Sequence, residues 1–355
     1  MKPQLFAFVS TLLCVCNIPL ASSAYRDHTY LIYEFPNDTW VENIAARSNG
    51  ELLLSIVGKP QLFAIDPSAP SPRQPVLIHE FTGFLDVFGI AEYQTDKFAV
   101  LTGNFSLETG DLGIGSWAVW SVDLTGVEIS LQDGDTVSFP GPKITKITDI
   151  PAAHFLNGLS LLSPEQQTLL IGDINAGVIY RLDIGSGDYE IVLNDTFTAP
   201  VPTPPFPISG VDGLHVRNGS ELFFSNFGKQ QLYKVAINED GTPAGPVVTV
   251  ANTLSTLDEY DDFTFDCDGN IFITTGGGNS IEKISTDGLQ QVIIAGNVNS
   301  TALAEPTSCV FGRGLNDRNV LYVVTGGGLA LPVNGDVIMG GQLVAIKTNT
   351  NGSAC

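Results

Sequence analysis

Short apolar segments separated by tight polar turns recur along the chain in a fixed order. Each copy has an apolar strand headed by a polar residue, then a Gly- or Asn-rich turn, then two further apolar strands. Six copies occur, at residues 43–66, 89–123, 157–183, 212–235, 262–284 and 307–346. Their starts are 46, 68, 55, 50 and 45 residues apart, about the length of a four-stranded blade in a β-propeller.

The outer strand of each copy is fainter, as in residues 189–193 and 291–295, and the sixth copy has none before the chain ends. An unpaired apolar segment, residues 29–35, stands near the other end of the chain. We expect it to pair with the sixth blade, because closing the ring removes open sheet edges. The sequence therefore predicts an all-β fold, a single six-bladed β-propeller over residues 25–355 closed by an N-terminal strand.

In a propeller the strand order decides which loops share a face. Turns between first and second strands are short, whereas the loops on the opposite face are long: residues 103–116, 140–155, 196–211, 251–261 and 325–341. Long loops on one face of a rigid scaffold usually carry binding. We predict the functional site on that face.

The first 24 residues have the pattern of a secretory signal peptide, with a lysine, an apolar run at 5–15 and small residues up to Ala24. No segment is long enough to span a membrane. We expect the protein to enter the secretory pathway, as a secreted or vesicular protein. Six glycosylation sequons fit this route, at Asn37, Asn104, Asn194, Asn218, Asn299 and Asn351.

The net charge of the protein limits the classes of partner that it can bind, and its cysteine content bears on disulfide formation. A formal net charge of −22 argues against nucleic acid and anionic membranes as partners. An oxidising compartment permits disulfides, and Cys267 and Cys309 lie on neighbouring blades, although about three residues out of step. We consider a disulfide between them and two separate cysteines equally consistent with the sequence.

Each first strand begins at the rim of the axial channel, so its leading residue faces the axis. Leading residues in the six copies are Glu42-Asn43, Phe88-Gly89, Asn157, Asp212, Asp262 and Thr307. Carboxylate and amide oxygens that converge on one axis are ligands that Ca²⁺ prefers. The alternative is that Asn157 and Asp212 tie strand starts together by hydrogen bonds.

This arrangement resembles the propeller family of regucalcin, gluconolactonase and strictosidine synthase. The motifs Asn-Gly-Leu at Asn157 and Asp-Gly-Leu at Asp212 match that family's metal-binding Asn and Asp, and Glu42 lies near its first-blade Glu. The resemblance implies Ca²⁺ and hydrolysis of a lactone or phosphoester. Phe88, however, stands where metal-using members have another Asn. We therefore expect no cofactor, with Ca²⁺ held by Asn157, Asp212 and Glu42 as the alternative.

The loop face is rich in apolar and aromatic residues. We predict that Phe88, Trp117, Phe206 and Tyr260 shape an apolar substrate chamber, with Glu42 as a polar contact; the alternative is that the loops only cover one another. His154 lies on a loop of this face and could act as an acid or hydrogen-bond donor, whereas His79 and His215 are expected to be structural. The sequence contains no nucleophile-elbow motif.

The signal peptide, Phe88, the stretch PTSCVFGR at 306–313 and the stretch VENIAARSNGELL at 41–53 resemble a secreted fungal branch of this superfamily. That branch is similar to hetero-Diels–Alderases of natural-product pathways, which join a tropolone-derived ortho-quinone methide to a humulene-type sesquiterpene. The resemblance implies small apolar substrates and such a cycloaddition, with Asn157, Asp212 and His154 as polar catalytic contacts. A Ca²⁺-dependent hydrolase and a non-catalytic binding propeller are the alternatives.

Overall fold

Alternating apolar strands and glycine-rich turns fold into four-stranded antiparallel sheets arranged as the blades of a propeller. The structure is a computed structural model and describes residues 29–70, 73–132, 135–139 and 141–352. The predicted signal peptide lies outside these residues. Within them there are six four-stranded sheets and two additional hairpins, so the predicted six-bladed all-β fold is confirmed.

The first three blades follow one another along the chain, and each runs from an inner strand to an outer one. The chain begins with β1 (Thr29–Glu34), and the first blade then consists of β2 (Trp40–Ala46), β3 (Leu52–Val57), β4 (Gln61–Ile65) and β5 (Val76–Glu80). The second blade consists of β6 (Asp86–Gln94), β7 (Lys97–Gly103), β8 (Ala118–Asp123) and, after the hairpin β9 (Glu128–Gln132) and β10 (Asp135–Phe139), β11 (Lys143–Asp149). The third blade consists of β12 (Leu156–Ser163), β13 (Thr168–Asp173), β14 (Val178–Asp183) and β15 (Tyr189–Asn194).

The last three blades repeat this order after a second hairpin. After the hairpin β16 (Val201–Thr203) and β17 (Phe206–Ser209), the fourth blade consists of β18 (Val211–Arg217), β19 (Glu221–Asn226), β20 (Gln231–Ala236) and β21 (Val248–Asn252). The fifth blade consists of β22 (Tyr260–Phe265), β23 (Ile271–Thr275), β24 (Ser280–Ile284) and β25 (Gln291–Gly296). After the 3₁₀ turn Thr301–Leu303, the sixth blade contains β26 (Pro306–Phe311), β27 (Val320–Thr325) and β28 (Gln342–Lys347).

The two ends of the chain meet in the sixth blade. Strand β1 pairs antiparallel with β28, from Thr29 opposite Ile346 to Glu34 opposite Gln342. This pairing supplies the outer strand that the sixth copy lacks, so the predicted closure is confirmed. A ring closed in this way leaves no unpaired edge between the first and last blades.

Two of the long loops contain structure that the sequence pattern did not indicate. Strand β11 lies inside residues 140–155 and forms the outer edge of the second blade, because the hairpin β9–β10 delays its return to the sheet. Residues 196–211 fold as the hairpin β16–β17. The inner strands also begin up to three residues earlier than predicted.

Apolar side chains pack between neighbouring sheets and hold the blades together. Leu53 of the first blade packs in one cluster with Phe98 and Val122 of the second, and all three are fully buried. Burying one such side chain stabilises a fold by about 1.5–3 kcal/mol. The core is thus divided among the spaces between blades, and the axis is left free for a cavity.

The predicted pairing of Cys267 with Cys309 is wrong. Cys309 is a free, buried cysteine in the middle of β26, where its Sγ lies 3.3 Å from the carbonyl oxygen of Phe272. Cys267 is disulfide-bonded, but not to Cys309. It lies in the turn after β22, where its backbone N–H donates to the Asn351 carbonyl at 2.9 Å. The two cysteines therefore occupy different levels of their blades.

Among the described residues, no helix has the length and apolarity required to cross a membrane. The six sequons lie on the surface of the propeller: five asparagines are exposed, and Asn104 is half-buried with its amide oxygen accepting the Leu85 N–H at 3.0 Å. Glycosylation stays a prediction, and Asn104 is the asparagine least available for it.

Candidate functional site at the propeller axis

Every inner strand has a break in its pairing register at the same level of the propeller. The breaks lie between Val41 and Ile44, Val87 and Ile90, Leu156 and Leu159, Val211 and Leu214, Tyr260 and Phe263, and Pro306 and Ser308. In five of the blades the first residue inside the break lines an axial cavity: Glu42, Phe88, Asn157, Asp212 and Asp261. A break of this kind changes the direction of side chains. Here it turns one side chain from each of these five blades towards the axis.

Glycine follows the lining residue in three of these blades because the next inner strand lies very close. A Cβ added to Gly158 would lie 2.1 Å from the Asp212 carbonyl oxygen, and one added to Gly213 would lie 2.6 Å from the Asp262 Cα. Only glycine permits this approach. The Asn-Gly and Asp-Gly pairs seen in the sequence therefore serve the contact between blades.

The cavity has an empty volume of about 530 Å³, including open solvent at its mouth. Most of its wall is aromatic or aliphatic: Trp40, Phe88, Phe105, Leu112, Phe155, Ile174, Phe206, Ile208 and Phe227. The Phe88 ring meets the Phe155 ring edge-on at 5.1 Å, and Phe105 stacks on Phe155 at 4.8 Å. These contacts fix the rings, so the wall has a defined shape.

Glu42 is the most strongly hydrogen-bonded of the polar residues in the cavity. Trp40 Nε1 donates to Glu42 Oε2 at 2.6 Å, and Asn157 Nδ2 donates to Glu42 Oε1 at 3.1 Å. Burial raises the pKa of Glu42 to about 7 although both hydrogen bonds lower it. Asn157 thus ties the first blade to the third through a contact between two side chains, while its own side chain still lines the cavity.

Asp212 and Asp261 are the buried acids of the cavity that lack a cationic partner. Asp212 is 2% exposed, and its Oδ1 has no hydrogen-bond partner within the described structure. Burial, reinforced by the negative charges of Glu42 and Asp262, holds the pKa of Asp212 well above its usual range. Burial and the charge of Asp212 do the same for the pKa of Asp261. Both shifts favour the protonated form of these acids, and a protonated carboxyl group can donate a hydrogen bond into the cavity.

A second polar layer, the Asp262 network, underlies these acids. Asp262 accepts from Asn43 Nδ2 at 3.0 Å and Ser308 Oγ at 2.9 Å, and it lies 2.9 Å from His215 Nε2. Burial raises the pKa of Asp262, but the facing His215 and these hydrogen bonds together hold it below its usual range. An ionised Asp262 beneath the cavity disfavours ionisation of Asp212 and Glu42 above it.

The structure brings Glu42, Phe88, Asn157, Asp212 and Phe206 together around one cavity, as the sequence indicated. Trp117 and Tyr260 do not line it. Trp117 is fully buried behind Phe155, where its Nε1 donates to the backbone oxygens of Leu112 and His154. The Tyr260 hydroxyl donates to Glu282 at 2.6 Å, so the strand places the ring between sheets.

His154 is exposed and also lies outside the cavity lining. Its backbone N–H and that of Phe155 donate to the Asp173 carboxylate at 2.8 and 3.0 Å. This double contact turns Phe155 inwards and His154 outwards. The expectation that His154 supplies an acid at the site is wrong.

Sequence reasoning missed Asp261, Phe105 and Phe227, which all line the cavity. The signal for Asp261 was present, since Asp261 and Asp262 stand together at the head of β22. Only the register of the break decides which of the two faces the axis. No sequence signal distinguished Phe105 and Phe227 from other buried rings.

The site contains residue types that bind Ca²⁺, the ion that the fold family implies. Their side chains, however, are arranged for hydrogen bonds with one another. Both Glu42 oxygens accept N–H groups, and Asn157 presents its amide nitrogen to Glu42. Among the described residues, no three His, Cys, Asp or Glu side chains are spaced as ligands of one metal ion. The chemistry below is therefore derived from the protein residues alone, and Ca²⁺ binding stays a prediction.

Two curated proteins are similar to nearly the whole chain. A protein of Phoma sp is 29% identical over 334 residues, which cover 88% of this chain and 90% of that protein. A protein of Sarocladium schorii is 26% identical over 378 residues, which cover 94% of this chain and 89% of that protein. Both proteins bear the name “Putative hetero-Diels-Alderase”.

No protein-family model matches the chain. Among solved structures, the calcium-binding protein regucalcin from Agrobacterium tumefaciens superposes with a TM-score of 0.59 at 15% identity, covering 93% of this chain and 95% of its own. At that identity the likeness shows a shared fold. Together these similarities confirm the predicted resemblance to regucalcin-like propellers and to proteins named as hetero-Diels–Alderases.

Proposed function

We propose that this chain is a natural-product biosynthetic enzyme that catalyses an intermolecular hetero-Diels–Alder cycloaddition. The partners are a tropolone-derived ortho-quinone methide and a humulene-type sesquiterpene. One observation carries the proposal: a cavity walled by fixed aromatic rings contains buried carboxyl groups whose pKa is raised by burial, which favours their protonated form. The names of the two relatives support the reaction class.

The aromatic rings of the cavity wall, here called the ring wall, hold the two reactants in position. A cycloaddition needs no nucleophile, and its rate rises when two reactants are held in a reactive pose, which can contribute about 7–11 kcal/mol. Phe88, Phe155 and Phe206 offer apolar faces to both partners. Phe88 and Phe155 are fixed by contact with one another, and Phe206 by contact with Phe227. The rings therefore favour one relative orientation of the partners and one stereoisomer of the product.

The buried acids polarise the carbonyl group of the quinone methide. Neutral Asp212 donates a hydrogen bond to the carbonyl oxygen of the quinone methide, which makes the heterodiene more electrophilic. The same group can form the quinone methide from a benzylic alcohol. Asp212 protonates the leaving hydroxyl, the C–O bond breaks to release water, and the ring hydroxyl returns its proton to the Asp212 carboxylate. Asn157 and Glu42 complete the polar side of the cavity.

Phe88→Leu is expected to lower stereoselectivity, so that the minor stereoisomer of the cycloadduct rises several-fold. Leucine keeps the site apolar but removes the flat ring that contacts Phe155. Chiral chromatography of the products measures the ratio. Phe81→Leu is the matched control, because Phe81 is equally buried but packs against His79 and Trp120, outside the cavity. An unchanged ratio in Phe88→Leu would contradict the role of the ring wall.

The reaction itself tests the proposal against its alternatives. Purified protein is incubated with the alcohol precursor and the sesquiterpene, with and without a chelator, and separately with lactones. We expect cycloadduct in both samples of the first experiment. A Ca²⁺-dependent hydrolase is the second candidate, favoured by Glu42, Asn157 and Asp212 at one cavity; lactone hydrolysis that chelation abolishes and Ca²⁺ restores would establish it. No turnover of any substrate would leave a binding propeller.

The rate is also expected to fall as the pH rises through about 7. Glu42 has a pKa of about 7, and its ionisation over this range adds a negative charge close to Asp212, where the carbonyl oxygen of the heterodiene gains negative charge. Burial and the charge of Glu42 hold the pKa of Asp212 well above its usual range. A pH–rate profile with pre-equilibrated enzyme measures the effect. A rate that rises over this range would indicate an ionised carboxylate as the active form.

A further inference from the structure

The loop between β27 and β28, residues 326–341 and here called the strap, lies on the face of the long loops. Ala330 of the strap belongs to the same buried apolar cluster as Phe88, Phe155 and Phe227. Leu329 and Leu331 pack against that cluster from the solvent side. The strap therefore packs on the apolar cluster that contains these wall rings, and no strap residue lines the cavity itself.

Glu305 contacts the strap backbone through both oxygens of a buried carboxyl group. It is 2% exposed, and its Oε2 accepts the Ala330 N–H while its Oε1 accepts the Leu331 N–H, both at 3.2 Å. Burial raises the pKa of Glu305 to about 8 although these backbone hydrogen bonds lower it, so two acceptor oxygens, and not a full negative charge, make this contact. Glu305 does not line the cavity, so it acts on the site through the strap.

The backbone of Glu305 is strained in a way that serves this contact. Its φ angle is 56°, in the left-handed region that non-glycine residues rarely occupy. The Glu305 N–H donates to Asn279 Oδ1 at 2.8 Å, and the Glu305 carbonyl accepts the Gly326 N–H at 2.7 Å. Asn279 also has a positive φ, 48°. Strain of this kind persists only where surrounding contacts enforce it and is concentrated at functional sites.

We propose that Glu305 is a positioning residue that keeps the strap closed over the ring wall and so excludes water from the reacting quinone methide. The inference rests on the proposed function. Water is the competing reactant: its oxygen bonds to the exocyclic carbon, and one of its protons passes to the ring oxygen, which regenerates the benzylic alcohol. A closed strap therefore decides how much quinone methide reaches the second partner.

Two variants test the anchor by separate measurements. Glu305→Ala removes both acceptors, and Glu305→Gln leaves one oxygen and turns an amide N–H₂ group towards a strap N–H. Hydrogen exchange of the strap should accelerate by about tenfold or more in Glu305→Ala and by less in Glu305→Gln. With unlabelled alcohol precursor in isotopically labelled water, the ratio of labelled alcohol to cycloadduct should rise in the same order. Thermal unfolding checks that both variants fold.

Glu259→Gln is the matched control. Glu259 is a half-buried acid of this face, its Oε2 accepts the Gly277 N–H at 3.0 Å, and among the described residues none of the strap N–H groups donates to it. It should change neither strap exchange nor the product ratio.

Unchanged strap exchange in Glu305→Ala would overturn the anchor, and faster exchange with an unchanged product ratio would overturn the exclusion of water. If the wild-type protein forms no cycloadduct, the proposed function fails, and hydrogen exchange alone still decides whether Glu305 holds the strap.

Discussion

Asp212→Asn is expected to lower product formation from the alcohol precursor by about 100-fold or more, because a positioned acid contributes about 10²–10⁴ to such a step. Asparagine keeps the size of the side chain and an N–H donor but cannot transfer a proton. Cycloaddition of a quinone methide generated chemically in the same solution should therefore be affected much less. Comparison of the two starting materials separates proton transfer from positioning.

The same substitution should stabilise the protein at pH 8. The pKa of Asp212 in the folded protein lies well above the ordinary value, so its contribution to stability is complete below the unfolded-state pKa and is lost as the pH rises through the folded-state pKa. An asparagine avoids that loss, which is about 1.4 kcal/mol for each unit by which folding raises the pKa. We expect the free energy of unfolding, measured in urea, to rise by about this amount at pH 8 and by less at pH 5.

Asp258→Asn is the control for both effects. Asp258 is 2% exposed, its Oδ1 also has no hydrogen-bond partner within the described residues, and burial raises its pKa to about 6. It does not line the cavity. Its replacement should stabilise the protein at pH 8 without changing turnover. Equal loss of activity in the two variants would show that the loss does not depend on the position of Asp212 in the cavity.

Gly158→Ala is expected to destabilise the protein by at least about 3 kcal/mol, since overpacking against groups that cannot move costs this much or more. The new Cβ would lie 2.1 Å from the Asp212 carbonyl oxygen and 3.1 Å from the Leu214 nitrogen, both backbone atoms of β18. The two inner strands would have to separate. Thermal and urea unfolding measure the loss.

Gly141→Ala is the control, because a Cβ at Gly141 meets nothing within 4 Å and its backbone has no positive φ. Its stability should change by about 0.5 kcal/mol at most. A Gly158→Ala protein as stable as Gly141→Ala would contradict the close approach of the inner strands and with it the geometry of the axial cavity.

The fold was predictable because its information is local and repeated. Six strand patterns and one unpaired N-terminal strand were sufficient to infer the closed ring, and β1 pairs with β28 as expected. The additional hairpins and β11 were missed because single hairpin strands have no period that distinguishes them from a long loop. The Cys267–Cys309 disulfide was wrong because blade alignment does not determine the level of a residue within its blade.

The site was predictable to the extent that it depends on inner-strand position. Glu42, Phe88, Asn157 and Asp212 share one place in their blades, and the structure brings them together. Trp117, Tyr260 and His154 were misplaced because a loop face has an inner and an outer side, and capping contacts such as that of Asp173 decide between them. The protonation of the acids follows from three-dimensional burial and from Asp262 beneath them, which a linear pattern does not contain.

The central claim is that the cavity contains a carboxyl group that keeps its proton at neutral pH. Infrared difference spectroscopy of wild-type protein against Asp212→Asn at pH 7 tests it directly, because protonated and ionised carboxyl groups absorb at different frequencies. The account predicts that the variant loses the band of a protonated carboxyl group. Loss of carboxylate bands instead would show that Asp212 is ionised and would contradict the proposed chemistry.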